Sequence, residues 1–265
     1  MFERFTLIAG PCVLEEDALN LGVARELARL SRSLDLPIVF KASYDKANRS
    51  KLDSPRGPGI DQGLELLGHV REETGLPVLT DIHEPWHAEK AGAVVDVIQV
   101  PAFLCRQTDL LVAAGSTGRA VNLKKGQWMA PEEMAHAVNK VRASGSAEVT
   151  VTERGTFFGY GNMVVDMRSF ARIRDACHVP AVFDGTHSVQ RPGKADGSSG
   201  GDPRHIPALV RAAVAAGCDA LFLETHPDPA HAPSDGSNML PLERLAALLE
   251  DVMALREVVV RRRHP

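Results

Sequence analysis

The strongest constraint on how this chain folds is a rhythm. Short apolar runs at residues 5–9, 37–40, 78–79, 97–100, 120–123, 148–151, 181–183 and 220–223 alternate with segments of helical period. The helical segments span 15–34, 61–74, 85–93, 108–116, 131–144, 169–177, 206–216 and 242–257. In the first of them Leu19, Val23, Leu27 and Leu30 share one face. Gly and Pro punctuate the joins, as at Thr74-Gly-Leu-Pro77 and Ala215-Ala-Gly-Cys218. A parallel strand buried on both faces reads as a short apolar run, and each parallel crossover takes a helix. Eight such units predict an α/β chain forming a single (β/α)8 barrel over residues 1–265, a usual size for that fold. A doubly wound sheet is the alternative, but no GxGxxG follows the first strand.

Barrel chemistry is built at the carboxyl ends of the strands. In chain order those positions hold Pro11 and Cys12, Lys41 and Lys46, Asp81 and His83, then Gln99. Asn122 and Lys124, Glu153 and Arg154, Asp184 and His187, and Glu224 and His226 follow, and the last loop adds Asp235. A purely structural barrel needs no polar residue at every exit. The segment 191–207, with Gly193, Gly197, Gly200 and Gly201, predicts a long mobile loop that closes as a lid.

The exit residues separate by charge. Lys41, Lys46, Lys124 and Arg154 come from three strand ends and can converge on a doubly charged anion. Cys12, His187, Glu224 and Asp235 offer a thiolate, an imidazole and two carboxylates, a set that suits Zn, Fe, Mn or Co. His226 and His83 compete with His187 as ligands but alternate sides with their neighbours. Glu153 and Asp184 read as groups that orient ligands or lysines, or as halves of buried salt bridges. The densest cationic stretch is Lys41-Ala-Ser-Tyr-Asp-Lys-Ala-Asn-Arg-Ser50, directly after an apolar run, where Lys supplies point charges and Arg a planar fork.

A net charge of −4 gives no footprint for nucleic acid or an anionic membrane. No apolar run approaches the roughly eighteen residues of a membrane span, and Met1-Phe-Glu-Arg lacks the order of a signal peptide. Cys12, Cys105, Cys177 and Cys218 show no CxxC spacing, so reduced thiols in a cytoplasm are expected. The tail from Arg261 reads as a frayed, solvated end.

Several of these stretches together resemble the 3-deoxy-D-manno-octulosonate 8-phosphate synthases. They are the Lys41–Ser50 stretch with Ser54-Pro-Arg-Gly-Pro-Gly59, then Thr80-Asp-Ile-His-Glu84 and Gln99-Val-Pro-Ala-Phe-Leu-Cys-Arg-Gln-Thr108. Asn122-Leu-Lys-Lys-Gly-Gln127 and Phe183-Asp-Gly-Thr-His-Ser-Val-Gln190 complete a likeness that runs nearly end to end. The resemblance implies a homotetrameric barrel enzyme that condenses phosphoenolpyruvate with D-arabinose 5-phosphate and water, in lipopolysaccharide precursor synthesis. It implies that Lys41, Lys46, Lys124 and Arg154 hold phosphoenolpyruvate, with Gln99 and Asp81 beside them. It assigns the aldose phosphate to Asn48, Arg49 and Ser50, and has Arg106 reach an active site across a subunit interface.

Members of that family with cysteine after Gly-Pro depend on a metal, whereas those with asparagine do not. Cys12 therefore implies the metal-dependent class, with His187, Glu224 and Asp235 completing the ligands and Asp235, on a variable loop, the least fixed. Proton transfer is left open among Lys46, His187 and a water on the metal. The nearest rival is the 3-deoxy-D-arabino-heptulosonate 7-phosphate synthases, which take a four-carbon aldose phosphate and carry Lys-Pro-Arg-Thr where this chain has Lys-Ala-Asn-Arg-Ser. A sugar-phosphate sensor without turnover is the alternative from another class.

Overall fold

Each of the eight apolar runs forms a parallel strand. The computed structural model describes residues 1–49, 51–146, 148–195 and 198–263. The strands are β1 (Thr6–Gly10), β2 (Ile38–Lys41), β3 (Val78–Asp81), β4 (Val97–Val100), β5 (Ala120–Lys124), β6 (Val149–Glu153), β7 (Ala181–Asp184) and β8 (Ala220–His226). They pair in chain order, and β1 pairs with both β2 and β8, which closes the sheet into a barrel. Helices follow the strands: α1 (Asp17–Ser33), α2 (Ile60–Thr74), α3 (His87–Val94), α4 (Thr108–Ser116), α5 (Met134–Ala143), α6 (Ser169–Cys177), α7 (Ile206–Ala216) and α8 (Leu242–Arg263). The expected (β/α)8 barrel is the fold. Among the described residues no helix is long and apolar enough to cross a membrane.

Two packing shells follow from the two faces of each strand. Ile8, Val39, Leu79, Val97, Ala120, Val182, Ala220 and Phe222 point inward and fill the lower barrel, with Phe2 packed against them from below. Their neighbours, among them Leu7, Phe40, Ile98, Val121, Leu123, Val151, Phe183 and Leu223, point outward and bury under the helices. Each such side chain contributes about 1.5–3 kcal/mol when removed from water. Turn chemistry closes the units. Gly75 ends α2 at φ 69°, in the left-handed region that a side chain resists, and its N–H reaches the Arg71 carbonyl.

Two hairpins stand outside the barrel rhythm. Thr156–Gly159 pairs with Asn162–Val164 above β6, and Gln190–Ala195 pairs with Ser198–Gly201 above β7. The second gives the βα connection expected over 191–207 a regular form: most of its described part is paired strand, followed by a short 3-10 turn and the start of α7. Backbone ladder bonds need no side chain, so a Gly-rich run can pair without announcing itself as a strand.

Candidate active site

The period of two that fills the barrel with apolar side chains also decides which polar ones meet at its mouth. Two residues beyond Val39 is Lys41, beyond Leu79 is Asp81, and beyond Val97 is Gln99. Ala120 leads to Asn122 and Lys124, Val182 to Asp184, and Phe222 to Glu224. On β6 the inward face carries Thr150 and Thr152 and continues to Arg154. Gly10 occupies the matching place on β1, where an added Cβ would stand 2.1 Å from the Lys41 carbonyl oxygen. Glycine there lets β1 and β2 close up beneath Cys12.

The cations converge on one floor. Both ammonium groups lie over the Phe222 ring, Lys41 Nζ at 5.6 Å and Lys124 Nζ at 3.1 Å from its centroid. Lys41 donates to Glu224 Oε1 at 2.9 Å and to the Cys12 carbonyl at 3.0 Å. Lys124 donates to Asp184 Oδ2 at 2.6 Å. Burial pushes the Lys124 ammonium down to about 8, against the pull of Asp184. Arg154 is also held below its ordinary range by burial. One of its terminal nitrogens donates to Gln190 Oε1 at 2.5 Å, while Nη1 is buried with no partner among the described residues.

The carboxylates answer these charges. Burial alone would raise Asp184, but His187 and Lys124 outweigh it and hold the group well below the usual range. It accepts from Lys124, Thr186, and both the backbone N–H and Nδ1 of His187. Glu224 is pulled down against burial by Lys41, His187 and Lys46. Asp81 is pulled down against burial by the His83 hydrogen bond and by Lys41 and Lys46. Ser43 donates to Asp81, and Asn122 donates to Gln99 Oε1 at 3.1 Å while accepting from Thr150 and Thr152.

A possible cation site adjoins this floor. The ligand atoms of Cys12, Glu224 and Asp235 all lie within 4.8 Å of one another, and Cys12 Sγ donates to Asp235 Oδ2 at 3.2 Å. Ligands on one tetrahedral ion stand about 3.3–3.8 Å apart, a spacing the Cys12–Asp235 pair already has within about 0.1 Å and the 4.8 Å bound brings Glu224 close to. His187 is not among those three, but its Nε2 is 3.6 Å from Glu224 Oε2. Its Nδ1, bonded at 2.7 Å to the Asp184 carboxylate, is the donor, an arrangement common for metal-binding imidazoles. Burial and then the Glu224 charge push the Cys12 thiol well up. Asp235 adopts φ 51°, a left-handed conformation uncommon outside glycine, which turns its carboxylate toward Cys12. Three of the four expected ligands and their chemistry therefore fit a divalent ion.

A sequence model of the DAHP synthetase I family matches residues 3–260. The chain is 53% identical over 254 residues to the 2-dehydro-3-deoxyphosphooctonate aldolase of Syntrophotalea carbinolica, covering 96% of this chain and 91% of that protein. It is 55% identical over 252 residues to the protein of that name from Nitratidesulfovibrio vulgaris strain DP4, with 95% and 92% covered. With that of Koribacter versatilis it shares 53% over 260 residues, 97% and 92% covered. The chain belongs to the DAHP synthetase I family. The DAHP synthetase I family includes metal-dependent members, in keeping with the Cys12–Glu224–Asp235 cluster.

Against that family frame, not every expected residue joins the mouth. Lys46 does reach it, half-buried on the loop after β2, and its charge is felt at Cys12, Asp81 and Glu224. Asn48 is exposed, and Arg49 donates to the Pro55 and Pro233 carbonyls. Ser50 lies outside the described residues. Arg106 stands exposed after β4, in the same connection as Phe103, which stacks on Trp128 in an exposed pair. Glu153 points to the other face of β6, where it accepts from the Gly155 N–H and lies 3.5 Å from Lys125. His226 turns away to Glu15. Ser43, Thr150, Thr152 and Gln190 were not singled out for the site in the sequence. The period of two could have found the threonines.

Proposed function

We propose that this chain is a metal-dependent 3-deoxy-D-manno-octulosonate 8-phosphate synthase, joining phosphoenolpyruvate, D-arabinose 5-phosphate and water with release of inorganic phosphate. The observation that carries the reading is Arg154 Nη1, a buried guanidinium nitrogen with no acceptor among the described residues, beside Lys124 and Lys41 on the Phe222 floor. A buried donor left unpaired costs about 1–3 kcal/mol, which an anionic ligand recovers. The names of the relatives give the product side, an eight-carbon phosphorylated 3-deoxy keto acid. The same names favour it over the seven-carbon product of the rival synthases.

Charge balance supports both a dication and phosphorylated anions. Lys41, Lys46, Lys124 and Arg154 oppose Asp81, Asp184, Glu224 and Asp235 one for one. A dication adds positive charge to that set and a phosphorylated anion adds negative charge, so each partly offsets the other. Lys124, Arg154 and Lys41 hold phosphoenolpyruvate, with Gln99 fixed by Asn122 and Asp81 alongside; Lys46, expected in the same set, rides on the loop after β2 and is assigned here to the aldehyde side. Asn48, Arg49 and Ser50 hold the aldose phosphate, so that C3 of the enol stands against the aldehyde carbon. Proximity there replaces a bimolecular encounter. The new C–C bond forms from C3 as water adds at C2, and the C2–O bond to phosphate then breaks. Lys46 is assigned to hold a proton at the aldehyde oxygen, whereas His187, with Nδ1 bonded to Asp184 and Nε2 left for the ion, serves as a ligand.

Cys12, His187, Glu224 and Asp235 hold the divalent ion, which is Zn, Fe, Mn or Co and supplies Lewis-acid polarisation when bound. The enzyme works in the cytoplasm, consistent with four free buried cysteines. It works as a homotetramer, in which the exposed Phe103–Trp128 face and Arg106 meet a second copy. The test is phosphate release from phosphoenolpyruvate with arabinose 5-phosphate or erythrose 4-phosphate, each with and without a strong chelator. Activity with the five-carbon sugar that chelator abolishes and a divalent ion restores is expected. Preference for the four-carbon sugar overturns the substrate, and indifference to chelator overturns the metal.

A further inference from the structure

We infer that Tyr44 and His87 are positioning residues that lock the loop after β2 to the loop after β3, and so set the geometry of the aldose-phosphate clamp. Neither touches the floor of the barrel mouth. Tyr44 lies in the loop that carries Lys46, Asn48 and Arg49, and His87 is the first residue of α3, closing the loop that begins after Asp81. Both are buried. The Tyr44 hydroxyl is 2.8 Å from His87 Nδ1, and the backbone N–H of His83 reaches the same nitrogen at 3.3 Å.

The direction of these bonds is fixed by elimination. A backbone N–H only donates, so Nδ1 is the unprotonated nitrogen and the Tyr44 hydroxyl must donate as well. Burial and the neighbouring His83 keep the His87 imidazole below its ordinary pKa, which favours that neutral acceptor. Burial and then the Asp81, Asp45 and Glu84 charges hold the Tyr44 proton in place. One ring nitrogen thus gathers a donor from each loop. Edge-on contacts tighten the knot: Tyr44–His87 at 5.7 Å, Tyr44–His83 at 5.9 Å and His83–His87 at 6.0 Å between centroids.

The knot is held on its other sides too. The Gly59 N–H donates to the Tyr44 carbonyl at 3.0 Å, and a Cβ at Gly63 of α2 would stand 2.3 Å from Tyr44 Cβ. Next to Tyr44, Ser43 donates to Asp81, whose other oxygen lies 3.0 Å from His83 Nε2. Lys41, Lys124 and Arg154 sit on or beside barrel strands and need no such brace. Lys46 and Arg49 ride on a loop, whose placement depends on what pins it.

The inference rests on the proposed synthase reading, and the experiment separates the two. Tyr44→Phe, His87→Leu, His87→Asn and the Tyr44→Phe/His87→Leu double variant are compared with the parent by steady-state kinetics and by amide hydrogen exchange. Loss of one net hydrogen bond predicts a KM for arabinose 5-phosphate raised about three- to tenfold in Tyr44→Phe and His87→Leu. The KM for phosphoenolpyruvate should move less than twofold, roughly the scatter expected when its strand-borne contacts are intact. Peptides spanning 45–58 and 82–87 should exchange at least about threefold faster in the same variants. The double variant should be no worse than His87→Leu alone, because losing Nδ1 already breaks the Tyr44 bond along with that of the His83 N–H. His87→Asn should recover most of the loss, since its Oδ1 sits where Nδ1 was. Equal rises in both KM values, additive singles, unchanged exchange, or an Asn variant no better than Leu each overturns the brace. If the parent releases no phosphate from either substrate pair, the synthase reading fails, and the exchange data alone decide on the brace.

Discussion

Replacing Lys41 by Met tests whether the barrel mouth is a charge-compensated interior. The Lys41 and Glu224 side chains are 3% and 2% exposed and 2.9 Å apart, so solvent screening gives no discount. Methionine fills much of the space but takes away the ammonium bonded to Glu224, leaving His187 Nε2 at 3.6 Å and the more distant Lys46 charge. Breaking a buried pair from one side costs about 3–5 kcal/mol. For a chain of this size that lowers the melting temperature by about 6–20 °C. The reverse variant, Glu224→Gln, costs less, because Lys41 keeps the Cys12 carbonyl and the Ser43 hydroxyl as acceptors. The double variant removes both charges and should recover about 2 kcal/mol or more of the summed loss.

The assay is calorimetric melting of chelator-treated protein at one fixed concentration, since any self-association shifts the transition. The pH dependence carries its own sign. Glu224 is held below its unfolded value, so its contribution is present above about pH 4.3 and lost as pH falls toward its folded value. The gap between parent and Lys41→Met should therefore be widest near neutrality and close in acid. A loss below about 1 kcal/mol, the worth of an exposed pair, or a double variant equal to the sum of the singles, refutes the compensation argument.

Two further predictions concern the ligands themselves. Cys12→Ala should lower the divalent metal bound per chain at least about tenfold while the far-ultraviolet dichroism stays that of a folded barrel. Equal metal content in elemental analysis would remove Cys12 from the ligand set. The Lys124 ammonium, pushed down to about 8 by burial, should make the KM for phosphoenolpyruvate climb about tenfold per unit well above that pH. Lys124→Ala should bind weakly at every pH without that inflection, and an inflection that survives the substitution belongs to another group.

Much of this was legible in the sequence because period two and helical period are local properties. Thr108–Ser116, Ser169–Cys177 and Ile206–Ala216 form helices with the bounds their patterns predict. The last helix runs six residues past the expected 257, to Arg263, with no Gly or Pro in that stretch to stop it. Lys41, Asp81, Gln99, Lys124, Asp184 and Glu224 could be read as strand exits, and the inward face of each strand then brings them together. For Glu153 the structure decides between the two readings the sequence left open: it is half of a buried salt bridge with Lys125, because one residue along a strand is the difference between the barrel mouth and its outer wall. The Gly-rich hairpin at Gln190–Ala195 and Ser198–Gly201 was missed, since its ladder is made by backbone alone.

What no local pattern contains is the meeting of two loops. Tyr44 is separated from His87 by α2 and β3, and the residues around each say nothing of the other. Only the parallel register that sets Phe40 against Val78 and Lys41 against Leu79 brings the exits of β2 and β3 level. Once level, a phenol leaving one strand and an imidazole entering the next helix need only one shared proton to fasten the loops. The strand-borne cations are placed by the barrel itself, whereas the loop-borne ones are placed by contacts of this second kind. Substitutions on the strands should therefore act on the enol phosphate and on stability together, while those in the knot act mainly on the aldose. Separate movement of the two KM values is the signature that distinguishes the barrel from the loops it carries.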